Sequence, residues 1–244
     1  MDEIFVDWEL RKIYEDYYSP GLTAWREIAA RDKAKHIIDL CHFIPHDSIV
    51  EIGAGDGAVL SRLDEVGFAR CMYALEIADG AIAAIGRRNI RSLVGSVVFD
   101  GYRLPCSDKQ FDLAVATHVI EHVEHPLIFL RELKRVAKYV FIEVPLEHNV
   151  QGIRDKNEAI RYGHVNFYDP FLVEILLERA GFEVIESRVG NSSLDIYRFQ
   201  SGWAGFPKYV IKQSALKIVP FLACRTFSYV FFALCQDRPW LAER

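Results

Sequence analysis

The segment Ile49-Val50-Glu51-Ile52-Gly53-Ala54-Gly55-Asp56-Gly57-Ala58 runs β-branched residues straight into three glycines and then into a helical pattern. Glycine lets a backbone turn tightly and approach a ligand closely. The helix that follows such a turn offers unsatisfied N–H groups to an anion or a carboxylate. Glu76 stands near the end of the next apolar run, where a carboxylate accepts both hydroxyls of a ribose. Read as Gly53-x-Gly55-x-x-Ala58 with Glu76 downstream, the pattern also fits the dinucleotide fingerprint. These residues therefore point to an adenosine-bearing ligand without choosing among such ligands.

A second constellation is histidine-rich. His118-x-x-Glu121-His122 matches the inverted zinc-protease signature, but that chemistry needs a helix carrying both histidines on one face and a further acidic ligand. Here the segment caps a strand, so no metal is expected. His122 and His164 are the candidates for a general base, because imidazole titrates near neutrality without a large perturbation; the plainer alternative is that each is hydrogen-bonded within a loop. His125, followed by Pro126, reads as a helix start, and His36, His42, His46 and His148 have no context that argues for chemistry.

Apolar runs that alternate with helix-period stretches must position these residues, and that rhythm predicts βα units on a largely parallel sheet. Strands are expected at Ser48 to Ile52, Cys71 to Ile77, Ser96 to Asp100, Phe111 to Thr117, Tyr139 to Val144, Phe182 to Arg188 and Phe227 to Leu234. Helices are expected at Ala58 to Val66, Gly80 to Asn89, His125 to Val136 and Pro170 to Ala180, with Gly181 ending the last. Residues from about Glu9 to Cys41 read as helical, divided at Pro20 and Gly21, and form an N-terminal cap over 1–45. The cofactor-binding core is expected in 46–145. Two long excursions, 146–169 and 190–226, are expected on the substrate side, the second with a helix around Lys208 to Val219. Trp203, Phe206 and Tyr209 are candidates for one wall of an apolar acceptor pocket.

Composition bounds the reading. A chain of 244 residues with 51% hydrophobic residues has material for one sizeable core, so a single domain over 1–244 is expected. Its 29 basic against 34 acidic residues lack the cationic field that drives binding to phosphate backbones; no nucleic-acid partner is expected. Five scattered cysteines suit free thiols in a reducing compartment. Met1 to Asp7 begins acidic with no secretory pattern, and Lys212, Lys217, Pro220 and Arg225 interrupt the apolar C-terminal stretch below the length of a membrane span. A cytoplasmic protein is the expectation.

The order of motifs resembles the class I S-adenosylmethionine-dependent methyltransferase superfamily. Glu51, Gly53, Gly55 and Gly57 match its acid followed by Gly-x-Gly-x-Gly; Leu75-Glu76-Ile77 resembles the ribose-binding acid motif. Phe99-Asp100-Gly101 with Leu104-Pro105 and Phe111-Asp112 resembles the adenine loop and fourth strand. His118-Val119-Ile120-Glu121-His122-Val123 resembles the Glu-His-Val signature of the small-molecule group, and Gly163-His164-Val165-Asn166-Phe167-Tyr168 its later region.

The resemblance implies an α/β, Rossmann-like, seven-stranded and mostly parallel sheet of order 3-2-1-4-5-7-6, last strand antiparallel, with helices on both faces. It further implies that Glu51 orients the methionine part of S-adenosylmethionine against Gly53, Ala54, Gly55 and Gly57, that Glu76 with Ile77 holds the ribose, that Asp100 and Gly101 read the adenine, and that Thr117 and His118 floor the site. Tyr18 would act as a lid with Tyr14, Tyr17 and Trp25. The function so implied is methyl transfer to the oxygen or nitrogen of a small-molecule acceptor, such as a natural-product or sugar intermediate. The alternatives are a noncatalytic cofactor-binding subunit of the same fold and an NAD-dependent oxidoreductase.

Overall fold

The computed structural model describes residues 23–152 and 162–238. In chain order these form α1 (Thr23–Cys41), β1 (Ser48–Ile52), α2 (Ala58–Glu65), β2 (Cys71–Glu76), α3 (Asp79–Ile85), β3 (Leu93–Val98), β4 (Phe111–Thr117), α4 (Pro126–Val136) and β5 (Ala137–Leu146). After them come α5 (Pro170–Ala180), β6 (Phe182–Gly190), α6 (Leu194–Ser201), α7 (Gly205–Ile218), α8 (Pro220–Thr226) and β7 (Tyr229–Asp237). The strands make one seven-stranded sheet, ordered β3-β2-β1-β4-β5-β7-β6. All pairs are parallel except those of β7, which runs antiparallel to both β5 and β6.

Side chains alternate across a strand, and here each face feeds a different core. Ile49, Leu113, Val115 and Phe141 pack with Ala30, Ile37 and Leu40 of α1 and Leu60 and Leu63 of α2. Val50, Ala114, Val140 and Ile142 pack with Phe129 and Leu133 of α4 and Val173 and Leu177 of α5. Helices therefore cover both faces. The same alternation sends Glu51 of β1 and Glu143 of β5 to the α1 side, where both are buried.

The differences from the expected elements have local causes. β3 ends at Val98 rather than Asp100, because the Asp100 carboxylate accepts the backbone N–H groups of Tyr102 and Arg103 at 2.8 and 2.7 Å and folds the chain into a turn. β5 continues to Leu146 through Pro145; its pairing with β4 stops at Glu143, so beyond that point the missing proline N–H breaks no bond to β4. β7 starts at Tyr229 because Phe227 still closes α8, its N–H donating to the Ala223 carbonyl at 2.8 Å. The excursion 190–226 carries three helices in place of one. No helix among the described residues is long and apolar enough to cross a membrane, and all five cysteines are free thiols.

Candidate active site

The strand order reverses between β1 and β4, and open α/β sheets bind ligands in the crevice at such a switch point. A cavity of about 610 Å³ lies there, lined by the turn after β1, the ends of β2 and β4, one face of α1 and the loop at Gly163–Val165. Its volume lies in the range of small-molecule sites.

The glycine turn is shaped by its surroundings. Gly53 and Ala54 donate their N–H groups to the Leu75 carbonyl at 2.8 and 3.2 Å, which ties the turn to the end of β2. Gly53 has a φ of 71°, and a Cβ added there would stand 2.6 Å from Val119 Cγ2, so no larger residue fits between the β1 and β4 turns. Gly57 also has positive φ, but it lies beneath the turn against Ile85 of α3. Glu51, Gly53, Ala54, Gly55, Glu76, Ile77, Gly101, Thr117, His118, His122 and His164 all line the cavity. Gly57 and Asp100 do not, the latter being engaged in its own loop. Tyr14, Tyr17 and Tyr18 lie outside the described residues, while Trp25 lines the cavity.

Glu51 is buried and its Oε2 has no hydrogen-bond partner. Burial first, then the neighbouring Glu76 and Asp56 carboxylates, raise its pKa, against the opposing charge of Lys33. A carboxylate left in this condition is suited to a cationic group arriving from the cavity. Glu76, also buried, accepts the Ile77 N–H at 3.0 Å. The orphaned oxygen, the glycine cradle and the second acid together fit a nucleoside that carries an ammonium group.

At the far side of the cavity His118 adopts a left-handed backbone with φ of 57°, a conformation that costs energy outside glycine and collects at functional sites. Its ring stands between two buried carboxylates, with Nδ1 3.5 Å from Glu121 Oε1 and Nε2 3.3 Å from Glu143 Oε1. Burial alone would raise the Glu143 pKa, but hydrogen bonds from His118 and His36 bring it down to about 2. His122 Nδ1 donates to the Gly163 carbonyl at 3.1 Å, and burial, the largest influence, lowers its pKa. His164 Nδ1 donates to Glu147 at 2.7 Å, and the two imidazoles meet edge to face at 4.7 Å. The long helix of the zinc-protease signature is absent, since β4 is followed by a three-residue 3-10 turn, Ile120–His122.

Sequence reasoning missed the contribution of α1. Beyond Trp25, which the sequence had placed at the lid, Arg26, Lys33 and His36 line the cavity, and Arg26 and Arg88 both donate to Asp56 Oδ2 at 2.9 Å. His36, which had no context in the sequence, pairs with Glu143 at 2.7 Å and stacks on Phe232. Their helical spacing looks like that of any surface helix, so no sequence signal distinguished them. The expected aromatic wall is a correction: Trp203 is 92% exposed, Phe206 is exposed, and Tyr209 packs on Tyr197 away from the cavity. The excursion sends only Ser192 and Ile196 to the lining, because α7 and α8 turn their apolar residues outward.

Comparison with known proteins agrees with this geometry. Residues 25–187 match a family model described as a methyltransferase domain. The chain is 28% identical over 160 residues to the ajmaline N-methyltransferase of Rauvolfia serpentina, covering 59% of this chain and 54% of that protein; it spans about half the length of that relative. Among solved structures it resembles a chain from the Haloferax volcanii complex of the Trm112 methyltransferase activator with a methyltransferase, with TM-score 0.69, 14% identity, and coverage of 93% of this chain and 98% of that one. A Haemonchus contortus phosphoethanolamine N-methyltransferase, solved with phosphomonomethylethanolamine and S-adenosylhomocysteine, aligns with TM-score 0.66 at 11% identity over 94% of this chain and 60% of that one. The family match spans more than half of the chain, so the chain belongs to the methyltransferase-domain family and, with its sheet order and glycine turn, to the class I S-adenosylmethionine-dependent superfamily.

Proposed function

We propose that this protein transfers a methyl group from S-adenosylmethionine to a polar atom of a small molecule. The observation that carries the reading is the buried, unpartnered Glu51 Oε2 beside the Gly53 turn, in one cavity with Glu76 and the histidines. Glu51 takes the ammonium group of the methionine part, the Gly53 to Gly57 turn gives that part room, and Glu76 with Ile77 holds the ribose. Asp100 acts by shaping the loop that brings Gly101 and Tyr102 to the cavity, and Gly101 meets the adenine edge. Thr117 and His118 form the floor. When bound, S-adenosylmethionine supplies an electrophilic methyl on a sulfonium.

Methyl transfer is an in-line displacement, so the chain's task is to align the acceptor and exclude water. His122 and His164 each keep a proton on Nδ1 for an acceptor-only partner, which makes Nε2 the basic nitrogen of either ring. Either can relieve an acceptor hydroxyl or ammonium of its proton. A small acceptor is supported by the volume of the cavity and by the name of the ajmaline-methylating relative. Calorimetric titration with S-adenosylmethionine, S-adenosylhomocysteine and NAD tests the reading. Binding of the first two and not NAD, weakened roughly tenfold or more in Glu76→Ala, is expected; NAD binding, or no binding of the first two, refutes it.

A further inference from the structure

Glu121 has no assigned role in methyl transfer, yet its burial demands one. Its side chain is 1% exposed, it lines the cavity, and neither carboxylate oxygen has a hydrogen-bond partner. Buried carboxylate oxygens left without a hydrogen bond are costly. His118 Nδ1 and His122 Nε2 approach Oε1 only to 3.5 and 3.9 Å.

The histidines around it are oriented by partners that can only accept. His122 Nδ1 faces the Gly163 carbonyl at 3.1 Å and His164 Nδ1 faces the Glu147 carboxylate at 2.7 Å. Each neutral ring therefore carries its proton on Nδ1 and its lone pair on Nε2. A carbonyl or carboxylate behind the imidazole is the outer arrangement that fixes metal-binding histidines.

The frame is braced as well. The Glu121 carbonyl accepts the N–H groups of Val165 and Asn166 at 2.9 and 3.0 Å, and Asn166 Nδ2 returns to the Val123 carbonyl at 2.7 Å. The β4 turn and the loop carrying His164 are thus held as one unit.

We propose that Glu121, His122 and His164 bind a divalent first-row transition-metal cation, which in the loaded protein would occupy the Nε2 lone pairs and take the place of the general-base role of these two histidines. One ligand atom from each lies within 4.8 Å of the others; ligands around a four-coordinate ion stand about 3.3 Å apart, so small side-chain adjustments close the set on an ion. Two imidazoles and one carboxylate suit zinc, manganese, iron or cobalt, whereas magnesium and calcium prefer all-oxygen sets. This set differs from the inverted zinc-protease signature: its second histidine comes from a distant loop, and His118 is directed between Glu121 and Glu143. Three protein ligands leave coordination positions open toward the cavity, where an acceptor bearing a hydroxyl or other oxygen donor would bind. That last step rests on the methyltransferase reading; cation binding does not.

Cobalt(II) serves as the probe, because its visible absorption reports coordination directly. Chelator-treated, dialysed protein is titrated with cobalt(II) as wild type, Glu121→Gln, His164→Ala and the surface control His148→Ala, with the thermal midpoint of each as a check on folding. One equivalent bound with visible bands, weakened at least tenfold in Glu121→Gln and His164→Ala and unchanged in His148→Ala, is expected. If His164→Ala does not fold, the near-isosteric Glu121→Gln decides. No stoichiometric cobalt site in the wild type, or one that Glu121→Gln leaves intact, overturns the proposal. A parallel titration with S-adenosylhomocysteine separates the two readings: its binding without a cobalt site sinks only the metal, and a cobalt site with the expected variant dependence but no such binding supports the metal and sinks only the methyltransferase reading.

Discussion

Folding buries Glu51 at the cavity and leaves its Oε2 without a hydrogen-bond partner. Its burial and the nearby Glu76 and Asp56 carboxylates make its ionised form unfavourable in the free protein, whereas an ammonium group placed beside it favours ionisation. On the proposed binding mode, the arriving ammonium group would lower a pKa that folding raises, so binding would drive a proton off Glu51. Calorimetry of S-adenosylhomocysteine binding at pH 7 in buffers of different ionisation enthalpy should show net proton release. The release should fade as the pH rises through the raised Glu51 value, and it should vanish in Glu51→Gln. Release that persists unchanged in that variant would assign the proton elsewhere and remove Glu51 from the ammonium site.

At the scale of elements, the close approach of the β1 and β4 turns is what demands glycine at 53. Gly53→Ala must accept both a left-handed φ of 71° and a Cβ at 2.6 Å from Val119 Cγ2; together these should lower stability by about 2–3 kcal/mol. Adding Val119→Ala removes the contact but not the backbone strain. Denaturant unfolding of the four proteins in this cycle should show a favourable coupling of about 1 kcal/mol; strictly additive effects would mean that the contact does not set the requirement. This turn was legible because it is local: strand, glycines and helix succeed one another within ten residues of sequence. β1, β4 and α5 were legible to the residue for a similar reason, with continuous apolar runs in the strands and Pro170 and Gly181 bounding the helix. The end of β3 was not, since it depends on an Asp100 side chain that captures two N–H groups. Glu143 and His36 were illegible as lining residues because such ordinary polar positions meet the cavity only when α1 docks, whereas Glu121 stood within the His118-x-x-Glu121-His122 motif but its burial depends on the fold.

Across the whole molecule, the cavity joins the two cores on opposite faces of the sheet. Its α1 side belongs to the layer packed on Ile49 and Phe141, and its Val123 and Phe129 side belongs to the layer packed on Val50 and Ile142. A ligand held by both sides is bound only while both are folded, so its binding energy adds to the stability of the molecule as a unit and not to one layer. S-adenosylhomocysteine at 100 times its dissociation constant contributes about 2.7 kcal/mol, which for a chain of this size corresponds to a rise in unfolding midpoint of about 5–10 °C. Scanning calorimetry should show one transition that moves upward as a whole with ligand concentration. Two resolved transitions of which only one shifts would mean that the layers unfold separately and that the ligand is held by one of them, placing the cofactor on one side of the sheet instead of across the switch point between β1 and β4.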